Sequence, residues 1–302
     1  MPLAQPLPDV ASLDLLRSVA ELGSIGRAAA AHRISQPAAS MRLRSLERSL
    51  GLTLLDRSRG PARLNDHGQA VVEWSQRVIE AMEDLIAGAS AIRSAGRGQL
   101  RLGASMTVAE YLLPVWLQRL RVTAPNLSVS LQMGNSEQVA AVTSRGAVDL
   151  GFVEGRTDPT GLRSCQVATD QLVVLVAPAH SWARRPAGVT PGELARTPLV
   201  LREPGSGTRE VLESAMAQWG LSPTALVELG STTAIKAAVT ESTGPAVLSR
   251  LAVAEEVRQG RLVVVEVAGL RLTRLIRAVW RRDGELPAGA RQLLSLAAED
   301  AR

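Results

Sequence analysis

Apolar positions near the start of the chain recur three and four apart, the spacing of helices with one buried face. Leu13, Leu16, Val19 and Ala20 form such a stripe on a first helix that Ser12 can cap and Gly23 ends. Ser24 can cap a second helix, Ile25 to His32, whose alanines at 28–31 allow another helix to approach closely. Ser35 can cap a third, with Pro37 in the first turn, where the missing N–H costs nothing. Its stripe is Ala39, Leu43, Leu46 and Leu50, and Gly51 stops it. The opposite face carries Pro37, Met41, Arg44 and Arg48, with Gln36 and Ser40 on one flank. Residues 52–57 and 62–65 are short extended segments around Ser58-Arg59-Gly60-Pro61, a pattern that predicts a hairpin with an arginine-rich tip.

Residues 66–95 contain no proline and read as one long helix, which Asp66 can cap. Val71, Val78, Leu85 and Ile92 recur every seven residues, and Trp74, Ala81, Gly88 and Ala95 repeat that interval three residues later. This a/d heptad suits a coiled-coil seam with a second copy, and an amphipathic helix packed on its own domain is the alternative. Thirty helical residues would span about 45 Å. Gly96-Arg97-Gly98 ends the helix and marks a domain boundary. From Gln99 onward strands and helices alternate: strands at 100–104, 127–133, 149–153, 172–177 and 198–201, helices at 108–120, 138–144, 208–219 and 234–240. That alternation predicts a mostly parallel sheet covered on both faces, with ligands beyond the carboxyl ends of its strands.

Charge sharpens this division. Residues 1–65 hold nine arginines and five acids, whereas residues 99–302 hold 22 basic and 19 acidic residues within a net charge of +5. A small arginine-rich segment joined to a near-balanced larger one suggests a nucleic-acid module with a second domain. On the third helix, Gln36 can read adenine, Ser40 either partner, and Pro37 the thymine methyl. Ser24 and Ser35 at the helix starts, with Arg33, Arg42, Arg44 and Arg48, would meet phosphates and set register. Arg57, Arg59 and Arg63 would lie along a minor groove. A solvated helix face and an ordinary surface hairpin are the alternatives from periodicity alone.

The text Ala28-Ala29, Ser35-Gln36-Pro37-Ala38-Ala39-Ser40, Leu46-Glu47, Leu50-Gly51, Leu54-Leu55-Asp56-Arg57, Leu64-Asn65 and Gly68 resembles the LysR-type transcriptional regulators in order and spacing. Met41 stands where many members carry arginine, Leu55 where phenylalanine is usual and Asn65 where threonine is usual; the first departure bears on base preference. The resemblance implies an α/β protein in three parts. Residues 1–65 would form a winged helix-turn-helix DNA-binding domain, and residues 66–97 a dimerising linker helix in a protein that is a homodimer or homotetramer. Residues 98–302 would form a two-lobe effector-binding domain resembling type 2 periplasmic binding proteins. Lobe I would span about 98–165 and 269–302, and lobe II about 166–268. It implies double-stranded promoter or operator DNA as partner.

Three strand ends carry anion chemistry. Ser105 and Thr107 precede a helix, where hydroxyls and free N–H groups favour negative charge. In the loop after the strand at 198–201, Arg202, Glu203, Ser206, Gly207 and Thr208 combine close backbone approach with hydroxyls and a guanidinium. Ser231-Thr232 precedes a third such helix, at 234–240. Plain N-capping is the alternative at each site. The resemblance implies that Ser105, Thr107, the stretch after Arg202 and Thr232 face an effector, with Ser136 a weaker member of the set. Aromatic residues are 2% of the chain, which suits a small anionic metabolite or inorganic oxyanion better than a large aromatic ligand.

Several chemistries are excluded or lack support. Only Lys236 is lysine, with no Gly-Lys-Ser/Thr around it, so there is no P-loop. The segment Gly205-Ser206-Gly207-Thr208-Arg209-Glu210 puts glutamate where a dinucleotide fingerprint needs glycine, and Pro204 spoils a nucleophile elbow at Ser206. His32, His67 and His180 lack metal-ligand spacing. The expectation is therefore a non-enzyme without metal or cofactor. A solute-binding protein would explain only the second half, and a DNA-compacting protein only the first. One cysteine, Cys165, forbids an internal disulfide, and no signal-like start or membrane-length apolar run is found, so a cytoplasmic protein with no membrane partner is expected.

Overall fold

A computed structural model describes residues 7–56, 63–95 and 99–299; the side chains of residues 83, 84 and 87–95 lie outside that description. The chain divides into two units, residues 1–86 and 87–302. The first contains α1 (Val10–Leu22), α2 (Ile25–Ala31), α3 (Gln36–Leu50), β1 (Leu55–Asp56), β2 (Arg63–Leu64) and the greater part of α4 (Asp66–Ala95). The second contains β3 (Gln99–Ser105), a π-helical turn (Val108–Leu112), α5 (Leu113–Thr123), β4 (Ser128–Gly134), α6 (Ser136–Ser144), β5 (Leu150–Gly155), β6 (Leu162–Val176), a 3-10 turn (Ser181–Arg184), α7 (Pro191–Arg196) and β7 (Pro198–Arg202). It continues through α8 (Gly207–Ala217), β8 (Thr224–Leu229), α9 (Thr232–Thr240), β9 (Ala246–Ser249), α10 (Arg250–Arg258), β10 (Val263–Val265), β11 (Thr273–Arg281) and α11 (Ala288–Glu299).

In the first unit the stripes of α1–α3 converge with Leu54, Leu55, Val71 and Ile79 in one core. Ser24 and Ser35 cap α2 and α3 through their hydroxyls, as the pattern predicts. Three local expectations differ. Asp9, not Ser12, caps α1, because its carboxylate reaches the Ala11 N–H and leaves Ser12 buried inside the first turn. Asn65, not Asp66, caps α4: its Oδ1 accepts from Gly68 N at 2.9 Å while its Nδ2 donates to Thr53 O at 2.9 Å. Val71 leaves the expected seam, because it lies on the face of α4 that packs into this core. The exposed apolar stripe begins instead at Trp74 (64% exposed) and continues through Val78 (44%) and Leu85 (65%), with Ala81 exposed between them. The side chain of Ile92 lies outside the described residues.

β1 and β2 pair antiparallel, Leu55 with Leu64 and Asp56 with Arg63, as the base of a wing. The tip that holds Arg57 and Arg59 lies outside the described residues. Glu47 ties this wing to α3, its Oε1 accepting from Leu54 N at 2.9 Å and Leu55 N at 3.2 Å.

The second unit is built on strands in the order β4-β3-β5-β11-β6-β9-β7-β8, with β10 also on β6. Pairing is parallel inside each half, β3 with β4 and β5, and β7 with β8 and β9. β6 and β11 run antiparallel through the middle and tie two lobes together. One lobe packs α5 and α11 on β3, β5 and β11 around Trp116 and Phe152, whose rings lie 5.2 Å apart. The other covers both faces of β6, β7 and β9, with α7 and α8 on one side and α9 and α10 on the other.

Gly68 is fixed by close packing, since a Cβ there would fall 2.3 Å from Leu54 O and 2.6 Å from Leu64 Cδ2. Gly68→Ala is expected to cost about 1–3 kcal/mol. Calorimetry of the full chain checks this: the melting transition of the first unit should fall while that of the second stays in place.

Candidate functional site

Two surfaces carry chemistry, one in each unit. On α3 the residues facing away from the core are Gln36, Pro37, Met41, Arg44 and Arg48, all exposed. Met41, at 65% exposure, sits in the middle of that face, so an uncharged thioether chain stands among the flanking arginines. Ser40 and Arg42 are half-buried on the flanks. The hydroxyls of Ser24 and Ser35 are engaged as caps, accepting from Arg27 N at 3.5 Å and Ala38 N at 3.3 Å. Arg33 is exposed in the turn before α3 and takes a left-handed backbone (φ 55°), a conformation usually left to glycine. Arg63 is exposed on β2.

In the second unit the expected strand-end hydroxyls do converge, but around groups of this chain. Arg274 on β11 has no exposed side-chain surface. Its Nε donates to Asp170 Oδ2 at 2.8 Å, its Nη1 to Thr208 Oγ1 at 2.9 Å and to Glu154, and its Nη2 to Thr107 Oγ1 at 3.0 Å. Ser105 donates to Glu154 Oε1 at 2.7 Å, and Ser249 to Asp170 Oδ1 at 2.8 Å. One guanidinium and two carboxylates thus share a buried network with four hydroxyls. Sequence reasoning missed Glu154, Asp170 and Arg274. The available signal was partial: Glu154 is the single charge of a strand otherwise bound for the interior, whereas β6 also carries Arg163 and β11 also carries Arg277 and Arg281.

The lobes meet closely around this network. Ser136 Oγ accepts from Glu154 N at 3.1 Å. Asn135 Nδ2 donates to Pro204 O, and Glu137 N to Gly205 O, both at 3.2 Å. Gly207 permits the approach of the 203–208 loop, because a Cβ there would fall 2.1 Å from Glu154 O. Arg202 is buried and pairs with its neighbour Glu203 through two bonds, 2.8 and 2.9 Å. Burial pushes the Glu203 carboxyl up, and the Arg202 guanidinium outweighs it, holding the group below its ordinary range. Thr232 is buried in the first turn of α9, where Ser231 supplies the cap. Lys236 donates to Ala252 O at 3.1 Å, pairs with Glu256 at 2.9 Å and reaches Tyr111 OH at 3.5 Å.

Beside the network a cleft of about 830 Å³ opens between α6 and α8. Ser136 and Ser206 line it, and the Ser206 hydroxyl makes no capping hydrogen bond to α8. Its charged groups are Glu137, Glu154, Glu210, Glu213 and Arg209, the last paired with Glu213 at 2.7 Å and Glu228 at 2.6 Å. Among the described residues no cluster of His, Cys, Asp and Glu is placed to hold a metal ion, and no helix is long and apolar enough to cross a membrane.

Comparison with known proteins adds the family context. Residues 10–69 match the family model described as bacterial regulatory helix-turn-helix protein, lysR family, and residues 93–302 match the LysR substrate binding domain. An uncharacterised HTH-type transcriptional regulator of Mycobacterium tuberculosis is 41% identical over 308 residues, 98% of either chain. The regulatory domain of CcmR from Synechocystis PCC6803, solved in complex with 2-PG, shares the fold of the second unit (TM-score 0.62, 23% identity, covering 68% of this chain and 97% of that one). Full-length CbnR, solved with its target DNA, gives a TM-score of 0.54 at 22% identity and covers 97% of this chain and all of the other.

Two outcomes test the site. Arg274→Met removes the only cation from a buried pair of carboxylates and is expected to cost about 3–5 kcal/mol in urea unfolding. The pair of Arg202 and Glu203 contributes stability that is complete above the ordinary carboxyl range and is lost as pH falls through the depressed Glu203 value. Acid titration of unfolding should therefore be shallower in Glu203→Gln.

Proposed function

The chain belongs to the LysR-type transcriptional regulators, DNA-binding proteins with an effector-binding domain, and from that premise we propose that it is a homo-oligomeric regulator whose grip on operator DNA is set by a small anionic effector. The observation that carries the DNA half is the exposed face of α3. Gln36 and Pro37 stand at its N-terminal end, with Arg44 and Arg48 behind them and a buried Ala39–Leu43–Leu46 stripe anchoring the far side. Such an end fits the major groove, with the arginines on phosphate. Oligomerisation is supported by the Trp74–Val78–Leu85 stripe, apolar surface that a second α4 would cover.

Support for an anion comes from the chemistry of the strand ends. Hydroxyls of Ser105, Thr107 and Thr208 with Arg274 make a receptor for a carboxylate, and in this chain the carboxylate is that of Glu154. The CcmR regulatory domain, which shares this fold, was solved with 2-PG bound, so a small ligand is in keeping with the reading. In mechanism, the effector alters how the lobes meet, the subunit packing follows, and the spacing of two half-sites changes. Coupling of this kind is typically about 1–3 kcal/mol and reciprocal between ligand and DNA.

Gln36→Ala should weaken specific operator binding by about 1–3 kcal/mol while leaving binding to random duplex nearly unchanged, measured by gel shift at fixed salt. Equal loss on both duplexes would overturn base reading by α3. Replacing Val78 and Leu85 together with glutamate should give a monomer in analytical ultracentrifugation, and a retained dimer would overturn the role of the α4 stripe.

A further inference from the structure

The orientation of α3 about its own axis is fixed from three directions. Ser35 caps its first turn and Gly51 its last, while Ala39, Leu43 and Leu46 are buried in the core of the first unit. Glu47 accepts from the N–H groups of Leu54 and Leu55 and ties the helix to the wing. Taking about 100° per residue, Met41 points within about 20° of the direction opposite the mean of those three buried positions. Pro37 stands one turn before it, and Arg44 and Arg48 follow on the same face. The first turns of such a helix meet base edges when it enters the major groove. Of the side chains in the first two turns, Met41 is the one aimed most directly outward.

Its chemistry differs from that of its neighbours. Beyond Pro37 the other exposed side chains of α3 are Arg44, Ser45, Arg48 and Ser49, all polar. Met41 is 65% exposed, yet it has no charge for a phosphate and no N–H for a base. The apolar group that base pairs present in the major groove is the thymine 5-methyl. An unbranched thioether chain with three rotatable bonds adapts well to such a group. Against a G·C pair the same chain would cover guanine O6 and N7 or the cytosine amino group and leave them without a partner, at a cost in free energy. Attraction to the methyl and the penalty at G·C act in the same sense.

Resting on the reading that α3 enters the major groove, we propose that Met41 selects an A·T pair at a fixed place in each operator half-site by packing on the thymine methyl. Gln36 and Met41 are about 7.5 Å apart along the helix axis and lie to either side of Pro37 around it, so each reads its own base pair. Arg44 and Arg48, further along the same face, meet phosphates and fix the register in which the methyl is met.

The test uses the full-length protein. A pool of duplexes with a random central segment is selected on the wild-type chain. The enriched half-site is then remade with deoxyuridine in place of thymidine, one position at a time, which removes only the methyl. The expected result is one position where deoxyuridine weakens wild-type binding about fourfold, the worth of one buried methyl, and leaves the binding of Met41→Ala unchanged. A G·C pair at that position should weaken the wild type about fivefold or more, whereas Met41→Arg, with a guanidinium for guanine O6 and N7, should prefer it. Met41 lies outside the core, so both variants keep the fold. Binding that tolerates deoxyuridine everywhere, or that loses as much in Met41→Ala, overturns the role of Met41; an enriched sequence that still depends on Gln36 then leaves base reading by α3 standing. A pool from which the wild type enriches no sequence overturns base reading by α3 and this inference with it.

Discussion

A guanidinium without exposed surface must satisfy its N–H donors and balance a permanent charge inside the protein. For Arg274 the partners come from both lobes and the strands between them. Thr107 and Glu154 stand at the ends of β3 and β5, Asp170 lies on β6, and Thr208 begins α8. The geometry of the cleft therefore refers back to one side chain. Loss of the cation would leave two carboxylates buried together, while loss of a single hydroxyl would leave the charges paired. The close approach of the 203–208 loop, made possible by Gly207, follows from the same arrangement.

How much of this could be read in advance depended on distance along the chain. The caps Ser24 and Ser35 and the stripe Ala39–Leu43–Leu46 are interactions within four residues, and periodicity exposes them. The cap at Asp9 was displaced from the expected Ser12 because two serviceable cap residues lie three positions apart, and only the backbone geometry chooses between them. Val71 shows the limit of heptad reasoning: an apolar residue at the seam position was claimed by its own domain's core. The first half of β6 was invisible because its buried positions, Leu162, Val167 and Asp170, do not make an apolar run. The pairing of Glu154 with Arg274 spans 120 positions, so neither residue announces the other.

The same network changes the meaning of the strand-end serines and threonines. As a pattern, hydroxyls at helix starts fit both a ligand and the protein's own needs. In the folded chain Ser105, Thr107 and Thr208 serve Glu154 and Arg274, while Ser206 lines the cleft without capping α8.

Lys236, the chain's only lysine, is held by Glu256, a backbone carbonyl and Tyr111 within the second unit. Apart from three histidines, every other basic side chain is arginine, whose charge persists at any pH a cell reaches. The positive face presented by α3 and the wing therefore offers no side-chain amine for an acyl group to neutralise. Neutralising an amine is therefore not a way to adjust the charge of that face.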